Sequence, residues 1–344
     1  MAEEPGTTAS RKAEHIRINL REEVQSGVTT GFERWRFIPR ALPELNLGDV
    51  DIGTVFLGRA LQAPLLISCM TGGTPEATDI NRLLARVAQA HGIAIGLGSA
   101  RALIEHPDSL SSFDVRDLVP DVPLLANVGA VQLAAGMDAI GCSRIVEMLR
   151  ADALVLHLNA LQEALQGGGD VNFAGVLAAI EKLCSALAVP VVVKEVGWGI
   201  PPDDVQRLFS AGVAAIDVAG AGGTSWSEVE KYRAGSRLAS AAAVFRDWGM
   251  PTAEATRRAR EAAPGRLIIA SGGIASGLDA AKAIALGADL AGVAGPFLRA
   301  AAMGEEQAMG LAAEIIDALR ITMFCTGLAS LAALRTTDRL EPVA

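Results

Sequence analysis

Residues 157–163, which read HLNALQE, bring an imidazole, two side-chain amides and a carboxylate together within seven positions. They end a short apolar run, ALVL, that has the appearance of a buried strand. Polar side chains beyond the carboxyl end of such a strand lie where open α/β sheets and β/α barrels place their active sites. The alternative is an ordinary helix start with Asn159 as N-cap and Glu163 in the first turn, which assigns no task to His157 or Gln162. We therefore predict a site here.

The elements that must position this site are predicted from eight short apolar segments. Helix-like stretches such as INRLLARVAQA and GLDAAKAIALG separate most of them. Strands that alternate with helices and are apolar along their length indicate a parallel sheet buried on both faces. Eight of them, nearly all ending in polar residues or glycine, favour a (β/α)₈ TIM barrel over an open sheet. The segments are residues 64–70, 92–98, 123–128, 153–159, 190–196, 214–220, 266–271 and 289–294.

Two regions interrupt the alternation of strands and helices. The first is a charged N-terminal extension, residues 1 to about 60, which we expect to cap the base of the barrel. The second is an insertion after the sixth strand, at about residues 223–265, which is a candidate lid because it follows the carboxyl end of a strand. The sequence thus predicts a single barrel domain over residues 1–344 with these two additions.

The whole-chain composition excludes several classes of protein. The 344 residues include 30 Lys and Arg against 39 Asp and Glu, so the formal net charge is 30 − 39 = −9. This charge makes nucleic acid or an anionic membrane an unsuitable partner and favours a small-molecule substrate. The four cysteines lack CxxC spacing, which indicates reduced thiols and no zinc site. No apolar stretch predicts a membrane span, and the polar N-terminus does not resemble a secretory signal, so we expect a cytoplasmic enzyme.

The last two strands and one buried lysine indicate an anionic ligand. Residues 270–300 contain glycines after each strand and before each helix, where backbone N–H groups can bind phosphate. The loops after strands seven and eight are the recurrent phosphate site of barrels. Lys194 ends the fifth strand, inside the barrel mouth, where an unpaired cation is costly. A salt bridge between Lys194 and Glu195 is not expected, because successive strand residues point to opposite faces. We therefore expect an anionic cofactor near Lys194.

Nine short motifs, in order, resemble type 2 isopentenyl-diphosphate isomerase. They are RKAEHI, SCMTGG, GSAR, NVGA, HLNALQE, VVVKEVGWG, DVAGAGGTSW, SGGIASGLD and GVAGPF. The resemblance covers nearly the whole chain and implies an FMN-dependent (β/α)₈ barrel. It also implies interconversion of isopentenyl and dimethylallyl diphosphate, with Mg²⁺ and a flavin reduced by NADPH or NADH. The family tends to assemble, so a homo-oligomer is expected.

The resemblance implies a role for individual residues. The expected FMN contacts are Cys69, Met70, Thr71, Ser99, Asn127, Lys194, Ala219, Thr224, Gly273, Ile274, Ala275, Ala294 and Gly295. The expected substrate contacts are Arg11, Lys12, His15, Ser99, Arg101 and Gln162, although Arg11, Lys12 and His15 alone would be typical of a solvated helix face. Glu163 resembles the Mg²⁺ ligand, Gln162 the catalytic residue beside the reacting carbons, and His157 and Asn159 further catalytic residues. Glu230 resembles an acid at the rim.

The implied chemistry is proton addition to the terminal carbon of isopentenyl diphosphate and proton loss from the neighbouring methylene, at reduced FMN. Three positions depart from the family pattern: Ala100, Ala219 and Ala275 stand where a glutamine, a serine and an arginine are usual. Loss of the hydroxyl and the arginine would weaken flavin binding by about 1–3 kcal/mol in total if no other group substitutes. A flavin-binding homologue with altered activity is therefore one alternative.

A second alternative is an FMN-dependent 2-hydroxy-acid oxidase or dehydrogenase, which shares the barrel and the strand lysine. That chemistry needs a His–Arg pair after a later strand, to take a proton and to bind a carboxylate. No histidine follows His157 in the sequence, so this alternative has little support.

Overall fold

The computed structural model of the protein describes residues 8–105, 107–233 and 236–343. Eight parallel strands close into a barrel, with each strand paired to the next and the eighth paired to the first. The barrel and all eight predicted strand positions are thus confirmed. The strands are β1 (Leu65–Ile67), β2 (Ala94–Gly96), β3 (Leu124–Gly129), β4 (Ala153–His157), β5 (Val191–Lys194), β6 (Ala215–Asp217), β7 (Leu267–Ala270) and β8 (Leu290–Val293).

Alternation along the strands divides the apolar core into two layers. Leu66, Ala94, Leu125 and Val192 belong to a cluster inside the barrel. Their strand neighbours belong to a larger cluster that includes residues of the outer helices. Successive strand side chains point to opposite faces, so one set fills the barrel and the other packs under the helices. Packed side chains therefore fill the barrel at the end opposite the predicted site.

Part of the N-terminal extension packs at the base of the barrel. Strands Thr54–Phe56 and Arg59–Leu61 form an antiparallel hairpin, and Phe56 and Leu61 join the interior cluster. A second antiparallel pair joins Trp35–Phe37 to Leu340–Pro342, near the two ends of the described chain. The hairpin buries Phe56 and Leu61 inside the barrel, whereas Trp35, Phe37 and Leu340 of the second pair are half-buried against the outer layer of the core.

Helices connect the strands, and local sequence explains several of their ends. Helix Pro75–His91 begins after Thr74, whose side chain accepts a hydrogen bond from the N–H of Ala77 at 3.2 Å. It ends at Gly92, which has the left-handed conformation that glycine tolerates (φ +60°). The α-helices are Thr8–Arg21, Pro75–His91, Ala102–Glu105, Val131–Ala134, Ala139–Leu149, Ala160–Leu165, Val176–Ala186, Pro202–Ser210, Trp226–Arg233, Ser236–Val244, Thr252–Ala262, Gly277–Ala285, Gly295–Met303, Glu305–Thr326 and Leu331–Arg335.

Helices Thr8–Arg21 and Trp226–Arg233 lie outside the regular alternation of strands and helices and cover the carboxyl end of the barrel. Helix Thr8–Arg21, the first part of the extension, contacts both Trp226–Arg233 and Gly295–Met303. Within residues 223–265, helix Thr252–Ala262 packs against Pro202–Ser210 and β7 and so takes the regular place between β6 and β7. Only the segment of this region that precedes helix Thr252–Ala262 lies outside the alternation of strands and helices.

None of the described helices has both the length and the apolar composition needed to cross a membrane.

Candidate active site at the carboxyl ends of the strands

One cavity of about 450 Å³ opens at the carboxyl ends of the barrel strands. We call it the rim cavity. Its lining includes every site residue predicted from the sequence except Glu230, from the helix Thr8–Arg21 through to the loop after β8. The structure therefore brings nearly the whole predicted set together in one cavity.

A row of polar side chains lies at the carboxyl ends of the strands, and all of them except Asp217 line the floor of the rim cavity. Each of these residues comes two positions after an interior apolar residue of its strand, so its side chain also points into the barrel. Backbone pairing aligns His157 with Lys194 and Lys194 with Asp217 on three adjacent strands. The row consists of Ser68, Asn127, His157, Lys194, Asp217 and Ser271.

His157 is held as a neutral imidazole. Its Nδ1 lies 2.8 Å from Oδ1 of Asn127, and because an amide oxygen only accepts, Nδ1 carries the proton and Nε2 is left as an acceptor. Burial lowers the pKa of His157 to about 3, with further lowering by the positive charges of Lys194 and Lys12. Gly129 makes room for the ring, since a Cβ there would lie 3.2 Å from Nε2. His157 can thus position a ligand but does not act as a cation.

Lys194 has an acidic neighbour, Asp217, at the paired position of the adjacent strand. The Lys194 ammonium donates a 2.5 Å hydrogen bond to the backbone oxygen of Glu195. The carboxylate of Asp217 accepts from the Ser271 hydroxyl at 2.6 Å and from the N–H of Ala219 at 3.2 Å. Burial raises the pKa of Asp217, and the charge of Lys194 opposes that rise. The Glu195 side chain points away and accepts from two backbone N–H groups, as the strand alternation predicts.

The HLNALQE motif forms a hydrogen-bonded unit above β4. Asn159 precedes helix Ala160–Leu165, but its side chain does not cap that helix. Instead its amide donates to Oε1 of Gln162 at 3.2 Å and to Oε1 of Glu163 at 2.9 Å. The other oxygen of Glu163 accepts from the backbone N–H of Asp170 at 2.8 Å. Asn159 therefore stands at the N-cap position with Glu163 in the first turn, but its side chain binds Gln162 and Glu163 instead of capping the helix.

Glu230, from helix Trp226–Arg233, connects that unit to the N-terminal helix. Its Oε1 accepts from Gln162 Nε2 at 3.2 Å and lies 3.0 Å from Nε2 of His15, while its Oε2 accepts from Arg233 at 2.6 Å. Burial alone would raise the pKa of Glu230, but the hydrogen bond from His15 and the charges of His15 and Arg233 outweigh it, so this pKa is lowered. The His15 ring also packs edge-on against Trp226, at 5.1 Å between centroids.

Three cations lie on the side of the rim cavity near the loops after β2 and β4. Lys12 donates a 2.6 Å hydrogen bond to the backbone oxygen of Ser99. Arg101 donates to Asp170 at 2.8 Å, and Gln132 donates to the same carboxylate oxygen at 2.9 Å. Arg11 lines the cavity nearby. These residues, together with Glu163 and His15, form what we call the charged side.

The opposite wall is built from glycines of the loops after β6, β7 and β8, and we call it the glycine side. A Cβ on Gly223 would lie 2.6 Å from the backbone nitrogen of Gly273. Gly273 has φ +73°, and a Cβ there would lie 2.5 Å from the backbone oxygen of Gly222. These loops touch backbone to backbone, which only glycine permits. Thr224, on the same wall, donates to Asn19 at 3.3 Å.

The two helices that begin on the glycine side differ at their N-termini. Helix Gly277–Ala285 is closed by its own capping box, in which Ser276 and Asp279 satisfy each other's backbone N–H groups. Helix Gly295–Met303 follows Ala294 and has no side-chain cap. Its first N–H groups therefore have no acceptor from an N-cap side chain, which leaves them suited to an anion.

The rim cavity fits a flavin mononucleotide. The buried oxygens Ser68 Oγ and Asn159 Oδ1 have no hydrogen-bond partner among the described residues, which indicates a ligand that supplies polar atoms. Cys69, Met70 and Thr71 line the β1 end of the cavity, while the glycine side offers backbone donors to a phosphate. Burial raises the pKa of the Cys69 thiol to about 11, so Cys69 is a packed thiol.

Sequence reasoning missed several residues of this site. Ser68, Asp217 and Ser271 occupy interior-facing strand positions, and the period of two along each strand could have identified them. Asp170 comes from a loop and Gln132 from the short helix Val131–Ala134, and no sequence signal marked either. Of the three departures from the family pattern, Ala100 is buried outside the cavity lining, whereas Ala219 and Ala275 line it.

Among the described residues, no group of three or more His, Cys, Asp or Glu side chains is placed to hold a metal ion. Glu163 contributes one carboxylate to the rim cavity, beside the cations of the charged side. Such a donor set suits a hard ion that takes its remaining oxygen ligands from a phosphorylated substrate.

Comparison with known proteins agrees with this geometry. A model of the FMN-dependent dehydrogenase family matches residues 20–105 and 157–341. A protein of Synechococcus sp. named isopentenyl-diphosphate delta-isomerase is 53% identical over 96% of each chain. Proteins of the same name from Nostoc sp. and Rickettsia bellii are 52% and 50% identical, over 97% and 92% of this chain and 96% and 93% of theirs.

Solved structures with the same fold are more distant in sequence. A mandelate oxidase is 22% identical with a TM-score of 0.66, covering 98% of this chain and 99% of its own. A lactate oxidase described as from Pediococcus acidilactici is 16% identical with a TM-score of 0.64, covering 96% of this chain and 87% of its own. These likenesses concern the fold alone. At about half identity over nearly its whole length, the chain belongs to the isopentenyl-diphosphate delta-isomerase family.

Proposed function

We propose that this protein interconverts isopentenyl diphosphate and dimethylallyl diphosphate with reduced FMN and Mg²⁺. One observation carries the proposal: a single cavity joins an anion-binding glycine side to a charged side that can hold a diphosphate. The unit of Asn159, Gln162 and Glu163 lines the same cavity and contributes Glu163 to the charged side. The names of the relatives support the same reaction.

FMN would lie between the row of polar floor residues and the glycine side. Lys194 would place a positive charge near the flavin ring and stabilise its anionic reduced form. When bound, reduced FMN supplies an electron-rich ring with an acid–base nitrogen. The remaining expected contacts, all lining the cavity, are Cys69, Met70, Thr71, Ser99, Asn127, Ala219, Thr224, Gly273, Ile274, Ala275, Ala294 and Gly295.

The charged side would bind the diphosphate of the substrate. Arg101 offers a forked pair of donors to phosphate, and Arg11, Lys12 and His15 supply further donors. Glu163 would hold Mg²⁺ against the diphosphate oxygens. His157 stays neutral, and Asn159 orients Glu163 through its amide. This arrangement fixes the charged end of the substrate and leaves its hydrocarbon end free to lie over the floor of the cavity.

Gln162 would orient the reacting carbons and relay protons. Its amide is held at both ends, since its oxygen accepts from Asn159 and its nitrogen donates to Glu230. The reaction adds a proton to the terminal alkene carbon and removes one from the neighbouring methylene, so no electrons are gained or lost. The protein contributes position and charge, because the neutral His157 and the paired Glu230 are poor proton donors at pH 7.

Several further features belong to the same proposal. NADPH or NADH would reduce the flavin before turnover. The chain would act in the cytoplasm as a homo-oligomer of single-barrel subunits. The acidic net charge and the absence of CxxC spacing support a cytoplasmic enzyme without nucleic-acid partners.

The test is an anaerobic assay of the purified protein loaded with FMN. Isopentenyl diphosphate is supplied with flavin oxidised or reduced, and with or without Mg²⁺, and the products are separated by chromatography. We expect dimethylallyl diphosphate only when both reduced flavin and Mg²⁺ are present. Lactate and mandelate serve as control substrates in air. Their oxidation without any isomerisation would instead identify a 2-hydroxy-acid oxidase.

A further inference from the structure

Arg299 is a charged residue of the rim cavity to which the proposed function assigns no role. It lies on helix Gly295–Met303, one turn after the helix begins, and it lines the cavity. A Cβ built on Gly295 would lie 3.2 Å from Nη1 of Arg299. The guanidinium therefore folds back over the first turn of the helix, in the space that a side chain at position 295 would fill.

The other cations of the rim cavity lie elsewhere. Lys12 and Arg101 contact Ser99 and Asp170 on the charged side, and Lys194 is at the end of β5. Arg299 makes no hydrogen bond or ion pair with any residue that the structure describes. The Lys and Arg side chains that line the cavity are Arg11, Lys12, Arg101, Lys194 and Arg299.

Backbone groups near Arg299 are also suited to an anion. The helix on which it lies has no side-chain cap, whereas the neighbouring helix Gly277–Ala285 is closed by Ser276 and Asp279. Asp279 also accepts from the N–H of Ala275 at 3.3 Å, and Ala275 itself brings no charge to that loop. A phosphate on the glycine side would thus meet the N–H of Gly295 and one guanidinium.

We propose that Arg299 binds the terminal phosphate of FMN and makes this protein select FMN over riboflavin. A forked guanidinium can bond two oxygens of a phosphate, and its charge offsets part of the dianion's charge in a chain with a net charge of −9. The inference rests on the proposed use of FMN and adds the residue that distinguishes the phosphorylated flavin. Arg299 would supply the positive charge that Ala275 does not.

Flavin binding to the full-length apoprotein tests this role without an activity assay. The dissociation constants of FMN and riboflavin are measured by quenching of flavin fluorescence for wild type, Arg299→Ala and Arg299→Lys. Loss of a charge-assisted contact should raise the FMN Kd of Arg299→Ala by about 10- to 100-fold. The riboflavin Kd should stay within about twofold, because riboflavin has no phosphate for the guanidinium to contact. Arg299→Lys should lie between, since it keeps the charge but loses the fork.

Arg320→Ala is the matched control, because Arg320 is a half-exposed arginine on the nearby helix Glu305–Thr326, outside the cavity lining. Its FMN Kd should equal that of wild type. Thermal unfolding of each variant shows that the fold is kept. An unchanged FMN Kd in Arg299→Ala would overturn the inference, and so would an equal loss of FMN and riboflavin. Wild type that takes up neither flavin would instead overturn the proposed cofactor.

Discussion

The two walls of the rim cavity offer an anion different kinds of groups. The charged side uses long side chains, among them Arg101 and Lys12, whose partners lie on other loops. The glycine side uses backbone N–H groups and close loop contacts, as between Gly223 and Gly273. A side-chain site can lose one member and keep the rest, whereas a backbone site depends on loop geometry. The two walls should therefore respond differently to substitution.

The largest effect is expected from Gly223→Ala on the glycine side. The added Cβ would lie 2.6 Å from the backbone nitrogen of Gly273, so the loops after β6 and β7 must separate. Such overpacking costs about 3 kcal/mol, which corresponds to a rise of about 100-fold in the FMN Kd. Equilibrium dialysis measures this. Gly310→Ala is the control, because a Cβ there meets nothing within 4 Å. Equal FMN binding by wild type and Gly223→Ala would show that the loops tolerate separation.

On the charged side, Glu163→Gln should lower kcat/KM by about 30- to 100-fold at fixed Mg²⁺, because the amide removes the charge that holds the ion. The Mg²⁺ concentration for half-maximal activity should rise, while the FMN Kd stays at the wild-type value. Glu181→Gln, on the exposed face of helix Val176–Ala186, is the control. Full activity with unchanged Mg²⁺ dependence in Glu163→Gln would remove Glu163 as the metal ligand.

Arg101→Gln should have a smaller effect that separates substrate binding from cofactor binding. Removal of the forked donor should raise KM for isopentenyl diphosphate by about 10-fold and leave the FMN Kd unchanged. Arg144→Gln provides a matched change at an exposed residue outside the cavity. Steady-state kinetics and flavin titration give the two constants. A loss of FMN affinity in Arg101→Gln would contradict the assignment of substrate to the charged side and of FMN to the glycine side.

A pH dependence of stability is expected from His157. Its pKa is about 3 in the folded protein and near 6.5 when unfolded, so the unfolded state binds more protons between these values. The stabilisation from neutral His157 is therefore fully present above pH 6.5 and is lost as the pH falls. The free energy of unfolding is measured with denaturant for wild type and His157→Gln from pH 5 to 8. The difference in this free energy between the two proteins should decrease at low pH. A constant difference would mean that His157 keeps its ordinary pKa.

Glu195 should show the opposite dependence on pH. Burial raises its pKa to about 7, and backbone hydrogen bonds from Trp198 and Gly197 oppose that rise. The folded protein therefore binds the extra proton between about pH 4.5 and 7, and this stabilisation is lost as the pH rises. The difference in free energy of unfolding between wild type and Glu195→Gln, plotted against pH over the same range, should have a slope of the opposite sign to that found for His157→Gln. A slope of the same sign would contradict the assignment for one of these two residues.

The barrel was predictable because its pattern is local. Apolar runs bounded by glycine and polar residues mark all eight strands, and alternation along them could also have identified Asp217 and Ser68 as interior residues. The glycine side was predictable for the same reason, since its glycines follow strands directly.

The connections across the charged side were not predictable from patterns. Gln162 meets Glu230 across 68 positions, and Arg101 meets Asp170 across 69. Both contacts depend on how loops and the helix Trp226–Arg233 fold over the rim. Local sequence preferences do not encode such pairings, so the residues of the charged side followed from family resemblance, and their partners from the structure.

The most direct measurement follows isopentenyl diphosphate by NMR in deuterated buffer, with FMN-loaded protein reduced under anaerobic conditions and Mg²⁺ present. Proton addition and loss predict dimethylallyl diphosphate with deuterium from the solvent at the new methyl group, and no net oxidation of the flavin. Protein that holds reduced FMN but leaves the substrate undeuterated and unconverted would contradict the proposed isomerase.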